Sequence, residues 1–390
     1  MTTRHLLVFV LLVVGLFRAE RAFGATLENY LSPPGAIWGV LLETNASANG
    51  LCAVPGGFVV AGTKTGPVGP GLDRWGLLAR LNESGGVLAS TNFAYETDHN
   101  GLFAVIPAPV DATGPEGFAL AGWRNHHSVD PTDPRREWDV PWMWLVRVDS
   151  NFGRVWDHDY GTIGYTGMGQ ALLRSGSEWT LGGYESYAAG GAGPEYCGWL
   201  RRLSALGEQV ASTNLGSSEI SGVRAIQPAH GGGYVVATGR GLVKVNEALE
   251  VLWRGGDTPF DSGYQPDAYQ GVRACADGTY LAVGTRCHGP DTAYESDLIL
   301  SRFHGDGAVA WTAVFGEDGP KVDSASDLLL TADGGCVVLG TTESYGHGGS
   351  DVWLLKTDAS GNLQWDLLLG GEGNDQGGSE LGGGDWRIGT

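Results

Sequence analysis

One segment of the sequence, residues 123–144, concentrates side chains that could bind a ligand. It reads WRNHHSVDPTDPRREWDVPWMW. Indole rings offer flat apolar faces to a sugar ring or an apolar partner, and guanidinium groups bind carboxylates through paired hydrogen bonds. The candidate ligand-binding residues here are His126, His127, Arg135, Arg136, Trp138 and Trp142. The alternative is a loop that packs on itself, with Trp142 beginning a strand and the two arginines paired to nearby acids.

Metal binding by this segment is not expected. The side chains of adjacent residues such as His126 and His127 rarely converge on one ion, and no third ligand can be identified. The loop Gly370–Asp375 is rich in glycine and acid, and its oxygens could hold calcium, but it lacks the ligand spacing of known calcium loops. We expect a plain connection there and no cofactor, with calcium as the alternative.

Further candidates lie in later polar segments and could line the mouth of a central channel. They are Tyr187, Tyr196, His288, Tyr345 and His347. Each one alone is more typical of a loop residue that satisfies local hydrogen bonds. The sequence has no serine nucleophile elbow, zinc-binding helix motif or phosphate loop, so we assign no catalytic residue.

The elements that must position these residues are clearest between Ser324 and Gly371. Four apolar runs of strand length occur there: Leu328–Leu330, Cys336–Leu339, Val352–Leu355 and Leu363–Leu369. Turn-forming residues separate them, which predicts a four-stranded antiparallel unit. Such a unit cannot cover both of its faces alone, so it requires copies of itself.

Copies of the second strand recur along the chain as glycine-led apolar runs. They are Gly57–Gly62, Gly117–Gly122, Glu178–Gly183, Gly233–Thr238, Thr279–Gly284, Gly335–Gly340 and a final Gly384–Gly389. No segment has a sustained apolar stripe at helical spacing, so the prediction is an all-β fold.

The two ends of the chain resemble complementary halves of one unit. Residues Leu27–Thr44 resemble a third and fourth strand, and Gln376–Thr390 resemble a first and second. We therefore predict a seven-bladed β-propeller whose ring is closed by N- and C-terminal strands sharing one blade, with six or eight blades as alternatives. Closure of this kind removes exposed sheet edges.

The motifs of the last units resemble those of a known class of protein. The run from Asp333 to Thr341, followed by Gly349–Asp358 and Gly361–Trp365, resembles the repeat of secreted bacterial and archaeal β-propellers, which are mostly uncharacterised. The match is close over Ser324–Asp375, fair over Asp267–Gly316 and loose in earlier units. It implies a propeller fold and export, and it supplies no catalytic residue. Gly361–Trp365 also resembles the tryptophan-docking motif of quinoprotein dehydrogenases, in which the Trp packs between blades.

The N-terminus and the charge of the chain limit where it acts. An apolar run, Leu6–Phe17, follows Arg4 and His5, which predicts a signal peptide over residues 1–24 and a propeller over 25–390. An uncleaved anchor is the alternative. We expect no membrane span in the mature chain and a secreted, periplasmic or cell-surface location. The net charge of −20 repels nucleic acid, so nucleic-acid binding is not expected.

The five cysteines are odd in number and irregularly spaced. An exported protein permits disulfides, and Cys275 and Cys287 are the nearest pair in sequence. If Asp277 and Gly278 form a tight turn, however, Cys287 lies past the position that faces Cys275. We therefore expect this bridge to be absent.

Loop lengths predict that one face of the propeller carries the function. Turns between first and second and between third and fourth strands are mostly short. The loops on the opposite face are long: Lys64–Arg74, Asn125–Pro141, Ser186–Cys197, Arg286–Ser296 and Glu343–Ser350. Long loops on a rigid scaffold are where binding residues usually lie. The predicted function is therefore a secreted, non-catalytic scaffold that binds an unknown protein or a glycan. The alternatives are a carbohydrate-active hydrolase with carboxylates at the channel mouth and a purely structural cell-surface module.

Overall fold

The structure is a computed structural model. It describes residues 7–8, 40–41, 46–65, 74–82, 86–93, 99–129, 137–163, 165–187, 196–216, 222–256, 267–288, 295–317 and 319–374. Regular secondary structure in these ranges consists of β-strands, as predicted. None of the described residues belongs to a helix long and apolar enough to cross a membrane.

Six four-stranded sheets, here called blades 1 to 6, follow one another along the chain. Blade 1 contains β3 (Ala46–Val54), β4 (Gly57–Thr65), β5 (Arg74–Asn82) and β6 (Val87–Phe93). Blade 2 contains β7 (Asn100–Ala108), β8 (Gly117–Val129), β9 (Glu137–Asp149) and β10 (Arg154–Tyr160). Blade 3 contains β11 (Tyr165–Ser175), β12 (Glu178–Tyr187), β13 (Tyr196–Leu203) and β14 (Gln209–Asn214). Blade 4 contains β15 (Val223–Pro228), β16 (Tyr234–Thr238), β17 (Gly241–Val245) and β18 (Val251–Gly255). Blade 5 contains β19 (Ala268–Ala274), β20 (Tyr280–His288), β21 (Glu295–Phe303) and β22 (Val309–Phe315). Blade 6 contains β23 (Asp323–Leu330), β24 (Cys336–Thr342), β25 (Asp351–Thr357) and β26 (Leu363–Leu369).

The blades are arranged as in a β-propeller. Within each blade the four strands pair in chain order and antiparallel. The first strand of each later blade packs across the first three strands of the blade before it, from β7 on blade 1 to β23 on blade 5. The hydrophobic clusters lie between neighbouring blades, so each blade buries its faces against the next copy.

The prediction of seven blades is corrected to six, the alternative considered with it. Of the N-terminal half-unit, the structure describes β2 (Val40–Leu41), which pairs with β1 (Leu7–Val8) in a separate two-stranded sheet. Because β2 is paired in this way, it does not form part of a four-stranded blade in the described structure. The other half predicted for the closing blade, residues 376–390, lies outside the described residues.

Each first strand contains a β-bulge at an equivalent position. The residues left out of register are Asn49, Phe103, Gln170, Arg224, Gln270 and Ser326. Residues three apart in a regular strand face opposite sides, but a bulge between them brings them to the same side. Val223 and Ile226 accordingly both pack into the cluster between blades 3 and 4.

Tryptophans on several fourth strands pack against the next blade, the role that the tryptophan-docking resemblance implies. Trp156, Trp253 and Trp311 lie against Gly207, Gly307 and Gly361, each in the turn between the third and fourth strands of the following blade. These three glycines have φ between 82° and 89°. The indole Nε1 of Trp253 also donates a hydrogen bond to the Gly305 carbonyl at 3.0 Å.

One face carries the turns between first and second and between third and fourth strands, and we call it the short-turn face. Its turns are short except for residues 109–116, which connect β7 to β8 in blade 2. The six turns between third and fourth strands share one hydrogen bond, in which the amide of the first residue donates to the carbonyl of the fifth, as from His304 to Ala308. The opposite side is the long-loop face. Blade 4 differs there, because Gly239 and Arg240 alone connect Thr238 to Gly241.

All five cysteines are free. Cys275 lies in the turn that follows β19, whereas Cys287 lies near the other end of β20 and pairs with Ser296. The strand β20 therefore separates the two thiols, as the turn at Asp277 and Gly278 predicts.

Candidate functional site

The segment 123–144 belongs largely to a strand hairpin, which corrects the predicted loop Asn125–Pro141. Strands β8 and β9 contain 13 residues each and are the longest in the described structure. Their pairing continues from Gly117 opposite Asp149 to Val129 opposite Glu137. The polar composition of the segment resembles a loop, but backbone pairing tolerates polar side chains on strands that extend beyond the core.

His126 and Trp142 form an aromatic stack on this hairpin. Their ring centroids are 3.8 Å apart and the rings are inclined by 11°. The backbone of Gly161 also covers the indole, because a β-carbon added there would lie 2.3 Å from its Cγ. The Trp142 ring is therefore a packing partner, while the His126 side chain remains 34% exposed.

An ion-pair network centred on Arg124 lies beside the stack. Arg124 donates from Nε and Nη2 to the two oxygens of Asp159, at 3.1 and 2.6 Å, and from Nη1 to Asp157 at 2.5 Å. Asp157 also accepts hydrogen bonds from Trp144 and Arg154. Burial alone would lower the pKa of Arg124, but the two carboxylates raise it above its usual value.

A groove of about 350 Å³ runs between blade 2 and blade 3 next to this network. Its lining includes Trp142, His158, Asp159, Tyr160, Arg201 and Gln209. The Tyr160 hydroxyl donates to the Gly207 carbonyl at 2.5 Å, and His158 Nε2 lies 2.8 Å from the Leu206 carbonyl. Burial raises the pKa of the Tyr160 phenol. These contacts join the outer strand of blade 2 to the turn of blade 3.

The charge on the blade 3 side of the groove is balanced by a buried ion pair. Arg201 pairs with Glu185, and both side chains are less than a tenth exposed. Arg201 also donates to Gln209 Oε1 at 2.6 Å, and Thr162 donates to Glu185 at 3.0 Å. This pair is neutral, and the exposed Glu208 of the same lining adds one negative charge.

The other residues predicted in the same segment are His127, Trp138, Arg135 and Arg136. His127 is exposed, and because neighbouring residues in a strand face opposite sides, it points away from His126. The two imidazoles therefore lie on opposite sides of β8. The backbone of Trp138 lies in β9, but its side chain is outside the described structure, as are Arg135 and Arg136 entirely.

The predicted tyrosines of blade 3 lie at the ends of β12 and β13. Tyr196 is 40% exposed, and its ring lies 5.5 Å from that of Tyr184 at an angle of 67°. Burial, followed by the neighbouring Tyr196 phenol, raises the pKa of Tyr184 to about 12. Tyr187 ends β12, and its side chain is outside the described structure.

The candidates in blades 5 and 6 are separate from the stack. His288 ends β20 with its side chain outside the described structure. Tyr345 packs on Trp353 at 5.1 Å and donates to the Gly316 carbonyl, so it has a structural role. His347 is exposed, and its amide donates to Asp351 at 2.7 Å. Of the predicted residues whose side chains the structure describes, His126 and Trp142 are brought into contact with each other.

No metal site is found among the residues that the structure describes, where no group of three or more His, Cys, Asp or Glu side chains could hold an ion. The loop Gly370–Asp375, for which a plain connection is expected, is described as far as Asn374, because Asp375 lies outside the described residues. Calcium binding by this loop therefore stays an untested alternative.

Several residues of the site were not predicted from the sequence. Asp157 and Asp159 are two apart in β10 and therefore share one side of the strand, a pattern that the sequence does contain. The partner cation could not be found in this way, because Arg124 lies 33 residues from Asp157 along the chain. The buried pair of Glu185 and Arg201 likewise depends on the register between β12 and β13.

No protein-family model and no curated protein matches this sequence. Solved structures give distant likenesses. A protein of unknown function from Bacteroides caccae has a TM-score of 0.40 and 10% identity, over 79% of this chain and 93% of that one. A puromycin hydrolase mutant has a TM-score of 0.37 and 14% identity, over 82% and 53%. Drosophila Plexin A, in complex with Semaphorin 1b, has a TM-score of 0.30 and 10% identity, over 83% and 77%. The fold assignment rests on the strand pairing described above.

Proposed function

We propose that this chain is a non-catalytic binding protein that holds a neutral glycan in the groove between blades 2 and 3. The observation that carries the proposal is the partly exposed His126 ring, stacked on Trp142 at the edge of this groove. An aromatic ring beside polar hydrogen-bonding groups suits the apolar face and hydroxyl groups of a sugar. The predicted signal peptide, residues 1–24, supports a function outside the cell.

The size and charge of the groove favour a small neutral ligand. A volume of about 350 Å³ falls within the range of small-molecule sites, whereas a protein partner requires a wider surface. The ion pair of Arg201 with Glu185 and the network at Arg124 neutralise most of the charge. The exposed carboxylate of Glu208 in the lining disfavours an anionic ligand. The hairpin of β8 and β9 supplies a rigid, hydrogen-bonded support for the ring.

The engaged carboxylates of Asp157 and Asp159 favour binding over glycoside hydrolysis. A hydrolase of this kind needs one carboxyl group to give a proton and another to act as base or nucleophile. All four carboxylate oxygens of Asp157 and Asp159 already accept hydrogen bonds from Arg124, Arg154 or Trp144. These oxygens are therefore engaged in holding the hairpin to β10.

A glycan array with the purified mature chain tests the proposal, followed by titration of the strongest glycan. His126→Ala should weaken binding about tenfold, the loss expected when one stacking and hydrogen-bonding side chain is removed. His304→Ala is the matched control, because His304 is an exposed histidine in a turn of the short-turn face.

Equal affinities of the two variants would contradict a site at His126. Binding of a protein and of no glycan would show that the ligand is a protein and would contradict the proposed glycan. The absence of both glycan and protein binding would favour the purely structural alternative.

A further inference from the structure

A second groove, between blades 4 and 5, occupies the position equivalent to the first. In both, the end of a fourth strand meets the third-to-fourth turn of the next blade. The first groove joins His158–Gly161 to Gly207–Gln209, and the second joins Arg254–Gly256 to Gly307–Val309. The second groove is slightly larger, with a volume of about 420 Å³.

One ion pair forms part of the wall of this second groove. Arg286 donates from Nε and Nη2 to the two oxygens of Asp267, at 2.8 and 2.7 Å. The Asp267 side chain is 7% exposed and that of Arg286 is 32% exposed. The pair is therefore neutral overall, and its guanidinium reaches solvent on the groove side.

Arg254 adds a positive charge that no carboxylate neutralises within the described structure. Its Nη2 donates to the Leu215 carbonyl at 2.6 Å, which fixes the guanidinium between blade 3 and the groove. Arg254 is exposed and lines the groove. With Asp267 and Arg286 cancelling, Arg254 is the remaining charge of the lining. Asp297, opposite Arg286 on β21, adds a negative charge beside the groove, and Arg254 is the exposed cation there.

Hydroxyl groups add to the polar lining of the second groove. The Thr312 side chain lines the groove and hydrogen-bonds Ser301 at 2.8 Å, and Ser301 hydrogen-bonds the Tyr269 hydroxyl at 2.9 Å. These hydrogen bonds hold the Thr312 side chain in place in the wall of the groove. The groove thus combines a fixed guanidinium with a positioned hydroxyl.

We infer that the groove between blades 4 and 5 binds a small ligand carrying one carboxylate, which Arg254 receives while Thr312 contacts the rest of the molecule. Guanidinium groups bind carboxylates through charge-assisted, frequently paired, hydrogen bonds. One exposed guanidinium, that of Arg254, suits one carboxylate. The site is distinct from the groove that holds the proposed glycan, and it does not depend on that proposal.

The test is titration of the full mature chain, labelled with ¹⁵N-arginine, with sodium D-glucuronate and with its neutral methyl ester. We expect a saturable shift of the Arg254 Nε signal with glucuronate and none with the ester. Arg254→Gln should weaken glucuronate binding at least tenfold, in line with the loss of one charge-assisted bond. Arg80→Gln is the control, because it removes one arginine charge from β5 in blade 1.

Binding by wild type that is weakened by Arg254→Gln and kept by Arg80→Gln supports the site. Three results would overturn it: no saturable shift in wild type, equal affinity for the ester, or equal weakening in both variants. Arg254→Lys separates charge from geometry, because it should keep part of the affinity while losing the paired hydrogen bonds. Circular dichroism of each variant confirms that the fold is intact.

Discussion

The indole of Trp253 lies directly against Gly307 of the next blade. A β-carbon added at Gly307 would lie 2.6 Å from the ring atom Cε3. The same contact joins Trp156 to Gly207 and Trp311 to Gly361. Blade 3 has Ala211 at the position of the tryptophan. The turn of blade 4 that faces it has Leu249 at the position of the glycine. Leu249 is buried and has a φ of 65°. Bulk on one side of the interface is thus matched by a small residue on the other.

Gly307→Leu should therefore destabilise the protein by about 3 kcal/mol, because it adds a clash with Trp253 to the strain of a left-handed backbone. Gly278→Leu is the matched control. Gly278 has a φ of 90°, and an added β-carbon would meet nothing within 4 Å. Its cost should be that of the backbone alone, about 1 kcal/mol. Urea unfolding measures both, and equal losses would show that Trp253 is not in tight contact.

At the interface of blades 3 and 4, Ala211 is small and Leu249 is large, the reverse of the tryptophan and glycine pairs. This predicts a favourable coupling free energy between substitutions at the two positions. Leu249→Gly should cost about 3 kcal/mol through loss of a buried side chain. Ala211→Trp alone should also destabilise, because Leu249 already occupies the interface. In the double variant the indole replaces the leucine, so the two losses should not add. A double-mutant cycle in urea measures this coupling, and simple additivity would contradict it.

Arg147 is expected to be one of the most sensitive positions of blade 2. Its fully buried guanidinium donates to Asp111, Thr113 and three backbone carbonyls of residues 109–115. Arg147→Met should cost about 3–5 kcal/mol, because these buried acceptors lose their donor. Arg154→Met removes an ion pair whose arginine is 47% exposed and should cost less than about 1 kcal/mol. Thermal unfolding of the two variants gives the comparison.

The ionisation of Asp333 should make part of the stability of blade 6 vary with pH in the acid range. Burial would raise the pKa of Asp333, but hydrogen bonds from Lys356, Thr331 and the Gly335 amide together lower it to about 2. A lowered folded-state pKa stabilises the protein above the unfolded value near 4, and this contribution disappears as the pH falls towards 2. Because Asp333 is 48% exposed, solvent screening keeps the contribution small, about 1 kcal/mol or less.

Asp333→Asn should accordingly lower the unfolding free energy at pH 7, and its difference from wild type should shrink between pH 4 and pH 2. Asp306→Asn, in an exposed turn of blade 5, provides the comparison. A difference that stays constant over this range would show that the charge of Asp333 contributes nothing.

The cysteines should differ in reactivity because of their burial. Burial raises the pKa of the Cys336 thiol to about 11, and its side chain is fully buried. The thiolate is the reactive form, so iodoacetamide at pH 8 should leave Cys336 unmodified in the native protein. The half-buried Cys197 should react first. Peptide mass spectrometry locates the label, and denatured protein should take up five labels because no disulfide is present.

The repeating strands were predictable because each blade repeats the same alternation of apolar residues and turns. The run Gly335–Gly340, for example, indicates β24 and its turn at Thr331. The extension of β8 and β9 was not predictable, since residues 125–141 have the polar composition of a loop. The partnership of Arg124 with Asp157 and Asp159 depends on strand register across blade 2, which spacing along the chain does not contain.

The bulges in the first strands make the chain more vulnerable to loss of a residue than to its replacement. Substitution of Arg224 leaves the backbone count unchanged, so Ile226 keeps its place between blades 3 and 4. An in-frame deletion of the same codon would remove the extra residue and rotate one half of β15 by a half-turn relative to the other. Apolar side chains of that half would then project towards the wrong neighbouring sheet. A single missing codon would thus disrupt the whole interface between blades 3 and 4.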